Sequence, residues 1–190
     1  MTGPGQPGAP PPGAIVDTGV GEGDRLDRIW SPHRLAYVAG APKSAPADAT
    51  GCPLCDIPAM GDEDGLVVAR GESVYAVLNL YPYNPGHLMV LPYRHVADLC
   101  DLTDTESAEL MDFTRRAVRT IRHVSRPDAF NVGLNLGAAA GGSIAAHLHQ
   151  HVVPRWVGDA NYITVVGGTK VLPQLLGETR ALLSEAWSSC

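Results

Sequence analysis

No apolar run in this chain of 190 residues approaches the ~20 residues that a membrane-spanning helix needs, so no membrane association is expected. The N-terminus has no basic segment followed by an apolar one, so nothing there reads as a secretory signal. The expected location is the cytoplasm. Positive charge is in short supply: 14 Lys and Arg stand against 20 Asp and Glu, for a formal net charge of -6. That argues against general nucleic-acid binding, which uses a basic face. An anionic small substrate stays open, because backbone amides, imidazoles and a few cations can supply a local positive field. Cysteine is scarce, with four residues, and in a reducing compartment these form no disulfide framework. No internal repeat is visible.

What is present is ordinary for a globular protein: 45% hydrophobic and 18% charged residues, in a length usual for one domain with a sizeable core. Residues 1–24 are rich in Pro, Gly and Ala and have little to bury, which predicts a disordered tail followed by a single domain over 25–190. Residues 25–38 read as a short helix broken by Pro32. Strands are predicted at 66–69, 74–78 and 87–91, with a turn at 81–86. Thr103 and Glu106 form a capping box for a helix that runs to about Val124. Further strands are predicted at 130–136 and 144–153, the latter ended by Pro154, with a small-residue loop at 137–142 between them. A last helix is predicted over 171–187, with Pro173 in its first turn. Strands cluster around one long helix instead of alternating with helices, which predicts an α+β domain with an antiparallel sheet.

The chemistry concentrates in His147-Leu148-His149-Gln150-His151-Val152-Val153. Residues at period two on a strand share a face, so the three imidazoles form a row about 13 Å long. That is too long for all three to touch one atom and suits a middle His that acts with neighbours in support. Three His at this spacing beside a loop of small residues speak against ordinary half-buried histidines. A cupin-like iron or copper site would bring a carboxylate shortly downstream, where Val152-Val153-Pro154-Arg155 stands instead. A neutral imidazole is a good nucleophile near pH 7. Attack on phosphorus needs that imidazole held in one tautomer and donors aimed at the phosphate oxygens. Gly141-Gly142-Ser143 can provide such donors. Separately, Cys52 and Cys55 have the spacing of a metal knuckle, which reads equally as a helix-capping turn with buried thiols. Cys100 and Cys190 stand alone.

The His row resembles the motif of the histidine triad (HIT) superfamily, His-φ-His-φ-His-φ-φ with φ apolar, with Gln150 as the one departure. Gln150 is expected on the face opposite the imidazoles, where it affects neighbours more than chemistry. Asn84 to His95 is similar to the second family motif. The stretches 77–87, 141–143, 151–156 and 167–174 resemble the actinobacterial diadenosine tetraphosphate phosphorylase branch. Ala145-Ala146 holds one residue more than the commonest spacing before the triad.

The resemblance implies a HIT-like fold and a homodimer or higher homo-oligomer. It implies that His149 takes up a nucleotidyl group, that His151 contacts the phosphate near the leaving group, that His147 orients the surroundings and that His87 sits behind the site. It places Asn79 at a ribose, and Asn135, Gly142 and Ser143 at phosphate. The implied reaction is phosphorolysis of diadenosine tetraphosphate to ATP and ADP through an adenylyl-His. The alternatives are hydrolysis of a dinucleoside polyphosphate or a nucleoside phosphoramidate, and a non-catalytic nucleotide-binding protein. The resemblance also implies that Cys52 and Cys55 are completed by His95 and His147 into a structural zinc site. No organic cofactor is expected.

Overall fold

The computed structural model describes residues 51–141, 144–160, 162–167 and 172–190. The tail expected over 1–24, the helix expected over 25–38, Gly142 and Ser143 lie outside the described residues. The elements in chain order are α1 (Pro53–Asp56), β1 (Val67–Arg70), β2 (Val74–Leu78), β3 (Leu88–Pro92), α2 (Asp104–Ser125), β4 (Ala129–Leu134), β5 (Gln150–Arg155), α3 (Tyr162–Gly167) and α4 (Leu176–Trp187). The five strands form one antiparallel sheet in the order β1-β2-β3-β5-β4. The α+β expectation is thereby met. Among the described residues no helix is long and apolar enough to cross a membrane.

Alternation along the strands builds two apolar clusters. Val74, Ala76 and Leu78 of β2, Leu88 and Val90 of β3 and Val152 of β5 face Leu110, Phe113, Ala117 and Ile121 of α2 and Leu183 and Trp187 of α4. The intervening residues Tyr75, Val77, Met89 and Leu91 pack with Leu54 of α1 on the opposite face. Both faces of β2 and β3 are thus covered, and every residue of these two strands is buried. Each fully buried Val or Leu contributes roughly 1.5–3 kcal/mol, which fixes the register of the sheet centre.

The capping box of α2 forms as expected. Thr103 Oγ1 accepts from the Glu106 amide at 3.2 Å, and Glu106 Oε2 accepts from the Thr103 amide at 2.8 Å. Arg94 adds two hydrogen bonds to the same carboxylate, which holds its pKa down at about 2. The helix ends at Arg126, whose φ of 48° is left-handed.

The predicted boundaries differ most at β5 and at the last helix. The strand expected over 144–153 begins only at Gln150 and runs through Pro154 to Arg155. β3 pairs with β5 only as far as Val90↔Gln150, and the amide of Leu148 turns instead to the Val96 carbonyl at 2.6 Å. Pro154 is tolerated because β5 has β4 but no longer β3 beside it there. The last helix starts at Leu176, not 171: Pro173 disfavours helical backbone in the residue before it, and Leu175 is extended at φ -70° and ψ 146°. The short helix α3 was not expected.

Candidate active site

His151 is the one triad residue inside the sheet, opposite Met89 on β3 and Gly133 on β4. His149 and His147 precede β5, so the row is not the uniform strand face that the spacing suggests. The rings of His149 and His151 meet edge to face with centroids 5.0 Å apart. His147 turns elsewhere, toward Cys52 and Cys55. The face of Gln150 is as expected. It is buried on the helix side, where its Nε2 donates to Thr114 Oγ1 of α2.

Backbone groups decide the tautomer of each imidazole, because a carbonyl only accepts and an amide N–H only donates. His149 Nδ1 lies 2.7 Å from the His147 carbonyl, so Nδ1 carries the hydrogen and Nε2 keeps a lone pair. His147 Nε2 lies 3.0 Å from the Pro92 carbonyl, so its Nδ1 keeps the lone pair. The Tyr83 amide donates to His87 Nδ1 at 3.1 Å. His87 Nε2 therefore donates to His151 Nδ1 at 3.0 Å, leaving His151 Nε2 as an N–H beside the Asn135 amide at 3.5 Å.

Burial first, then the charges of His151 and His149, pushes His87 down to about 3. Burial and then His149 bring His151 to about 4. Burial also lowers His147, against the opposing effect of its bond to the Pro92 carbonyl. These three rings are neutral near pH 7.

Asn79, expected at a ribose, lies at the mouth of the loop before His87. Its Nδ2 is 3.4 Å from His87 Nδ1, and its Oδ1 accepts from the Tyr81 amide. A cavity of about 390 Å³ adjoins His151 and Asn135 and is walled by Tyr83, Asn131, Arg155 and Asp159. By composition Tyr83 reads only as part of a turn. Its ring lies over His87 at 4.7 Å and His151 at 5.9 Å, and an aromatic residue four positions before a family histidine was the available signal. Asp159, which no motif marks, accepts from Asn84 at 2.6 Å and from Arg155 at 2.7 and 2.9 Å. That carboxylate ties the loop carrying Tyr83 to the end of β5.

On the other side of the triad, ligand atoms of Cys52, Cys55, His95 and His147 all lie within 4.8 Å of one another. Thiol–imidazole distances are 3.2–3.4 Å. Cys52 stands at the N-cap of α1 without a side-chain cap hydrogen bond, and both thiols are half-buried rather than buried, so only the turn itself agrees with the capping reading. Burial, then the hydrogen bond and charge of Cys52, push the Cys55 thiol up to about 11. The donor set fits one tetrahedral Zn²⁺: two sulfurs, two imidazoles, and a His147 Nδ1 lone pair set by the Pro92 carbonyl behind it.

A histidine row in which the His149 ring meets the His151 ring, with a Cys2His2 cluster behind it, agrees with the comparisons to known proteins. The HIT domain profile matches residues 61–157. A Mycobacterium tuberculosis protein named AP-4-A phosphorylase is 62% identical over 177 residues, covering 92% of this chain and 91% of its own. The chain belongs to the HIT family. A second relative is the Schizosaccharomyces pombe asymmetrical bis(5'-nucleosyl)-tetraphosphatase, 38% identical over 49% of this chain and 50% of its own. Among solved structures, a zinc-bound HIT protein from Mycobacterium smegmatis superimposes with a TM-score of 0.58 at 27% identity, covering 73% of this chain and 94% of its own.

Proposed function

We propose that this HIT protein is an enzyme that phosphorolyses diadenosine tetraphosphate to ATP and ADP. The observation that carries the reading is the 2.7 Å contact from His149 Nδ1 to the His147 carbonyl, which leaves Nε2 as a lone-pair nucleophile. The high identity to a protein named AP-4-A phosphorylase supports the choice of substrate and acceptor.

His149 Nε2 forms a bond to the α-phosphorus as the bond from that phosphorus to the bridging oxygen breaks. The electron pair leaves with ATP, and the imidazole becomes a cationic adenylyl-His steadied by the His147 carbonyl. His151 Nε2–H donates a hydrogen bond at the departing phosphate, and His87 holds His151 in that tautomer. A phosphate oxygen then attacks the same phosphorus, the N–P bond breaks, and ADP forms with neutral His149 restored. Splitting one displacement into two lowers each barrier. Asn135, Gly142 and Ser143 serve as phosphate contacts, and Asn79 contacts the ribose.

A structural Zn²⁺ held by Cys52, Cys55, His95 and His147 belongs to the same proposal. Bound there, it supplies folding free energy and fixes the segment before His149. The assembly is a homodimer or higher homo-oligomer. In its favour, β4 is an edge strand whose Val132 is 47% exposed, an edge of the kind that pairs with a second chain. The location is the cytoplasm, and residues 25–190 form the catalytic domain.

Incubation with diadenosine tetraphosphate, with and without phosphate, followed by nucleotide chromatography, tests the reaction. ATP plus ADP, formed only with phosphate, is the expected result. ATP plus AMP in phosphate-free buffer would replace the phosphorylase with a HIT hydrolase, the activity named for the fission-yeast relative. No turnover in either buffer would leave a nucleotide-binding protein.

A further inference from the structure

We propose that the cavity beside His151 holds the nucleoside of the departing half of the substrate, with its base stacked on Tyr83. The proposal rests on the dinucleoside polyphosphate reading above and adds a second nucleoside subsite to it.

Position comes first. The cavity borders His151, whereas His149 is not among its lining residues. A group displaced from phosphorus by His149 Nε2 leaves from the side opposite the attacking nitrogen. The departing half therefore passes the neighbouring imidazole. From His151 the cavity follows β5 to Arg155, about 13 Å at the usual strand rise. Its volume of about 390 Å³ lies at the small end of the range for ligand pockets, enough for one nucleoside and not two.

Charge decides what kind of ligand fits. A bare polyphosphate is held by unpaired cations and bidentate guanidinium groups. The cation among the lining residues is Arg155, and its fork is already committed. Nε and Nη2 donate to Asp159 at 2.7 and 2.9 Å, and Nη1 donates to Asn131 Oδ1 at 2.8 Å. Asp159, the anion of the wall, is paired with that same guanidinium, and the remaining side chains are neutral, among them Asn131, Asn135, the His151 imidazole, Val132 and Val153. An apolar pocket with a few fixed neutral donors and acceptors suits a base and ribose.

The stacking surface is Tyr83. Its ring is inclined by 28° to the His151 ring and by 38° to the His87 ring, yet the residue remains 58% exposed. One side is backed by two imidazoles while the ring stays open to the cavity it borders. The carboxylate of Asp159 fixes the loop through Asn84, so the ring is preorganised, which lowers the cost of ligand binding. The ligand class is a nucleoside 5'-polyphosphate, read at its nucleoside end.

The test compares diadenosine tetraphosphate with adenosine 5'-tetraphosphate. The second compound keeps the reacting α-phosphorus and the phosphate chain and lacks the second nucleoside. Dissociation constants are measured calorimetrically on the full chain carrying His149→Ala, so that neither ligand is consumed, with and without Tyr83→Leu. The dinucleotide is expected to bind the His149→Ala protein about tenfold more tightly than the mononucleotide, the usual worth of one base–aromatic stack. Tyr83→Leu should erase that difference and leave the mononucleotide within twofold. Equal weakening of both ligands, or equal affinities before Tyr83 is changed, would overturn the subsite while leaving the reaction standing. Absence of binding by both would overturn the subsite and the reading beneath it.

Discussion

Gln150 and Thr114 are joined by a buried hydrogen bond that ties the triad strand to the long helix. Thr114 Oγ1 accepts from Gln150 Nε2 and donates to the Leu110 carbonyl at 2.7 Å. The polar residue that breaks the apolar pattern of the motif is thus satisfied by a hydroxyl on the opposite layer. Thr114→Val leaves the Gln150 amide buried without this partner and should cost about 1–3 kcal/mol. Gln150→Leu keeps the Thr114 bond to Leu110 and should cost less. The double variant should recover most of the Thr114→Val loss. Urea unfolding of the four proteins measures the coupling, and strict additivity would refute it.

His149→Ala should lower turnover of diadenosine tetraphosphate by at least about a thousandfold, because the lone pair freed at Nε2 is the proposed nucleophile. Nucleotide binding should remain measurable by calorimetry. A rate near wild type would remove His149 from that role.

Acid should destabilise the fold before the carboxylates titrate. His87 and His151 have folded pKa values of about 3 and 4, below the ordinary 6.5. Between 6.5 and about 4 the unfolded chain binds more protons than the folded one, so stability rises with pH across that window. The contribution is present in full above about 6.5 and is lost as pH falls. Replacing His87 by Gln should flatten the dependence of Tm on pH between 6.5 and 4. Glu106, held at about 2 by Arg94 and Thr103, adds its own loss only below about 4.5. An unchanged slope in the His87→Gln protein would show that other groups carry the acid sensitivity.

Protein purified without an affinity tag should contain one zinc per chain by elemental analysis. His95→Ala should release it and lower Tm by roughly 5–10 °C, as expected for a loss of a few kcal/mol in a domain of this size. Substoichiometric zinc in the parent protein would end the metal assignment.

Strands β2 and β3 were legible in the sequence because each is a continuous apolar run covered on both faces, and α2 because its cap and first turn are local. The ligand quartet was legible through family resemblance, since spacing alone shows only the Cys pair. The start of β5 was not legible. Period two continues back from Gln150 through His149 to His147, but the ladder with β3 ends at Val90 and the Leu148 amide goes to Val96. That long-range choice leaves no mark on the local pattern. Tyr83 was hidden for a similar reason: its stacking depends on His151, 68 positions later in the chain.

The end of that ladder gives His147 two separate allegiances. Its ring nitrogens are engaged by the Pro92 carbonyl and the thiols of Cys52 and Cys55, while its own carbonyl engages His149. The residue has no ring nitrogen left for a nucleotide, so any effect on the proposed reaction runs through its position. Under the proposed zinc site and the proposed role of His149, substitution at His147 is expected to disturb metal retention and nucleophile alignment together. His95 reaches the same cluster from outside the triad, so replacing it removes a cluster donor while the His147 side chain stays in place.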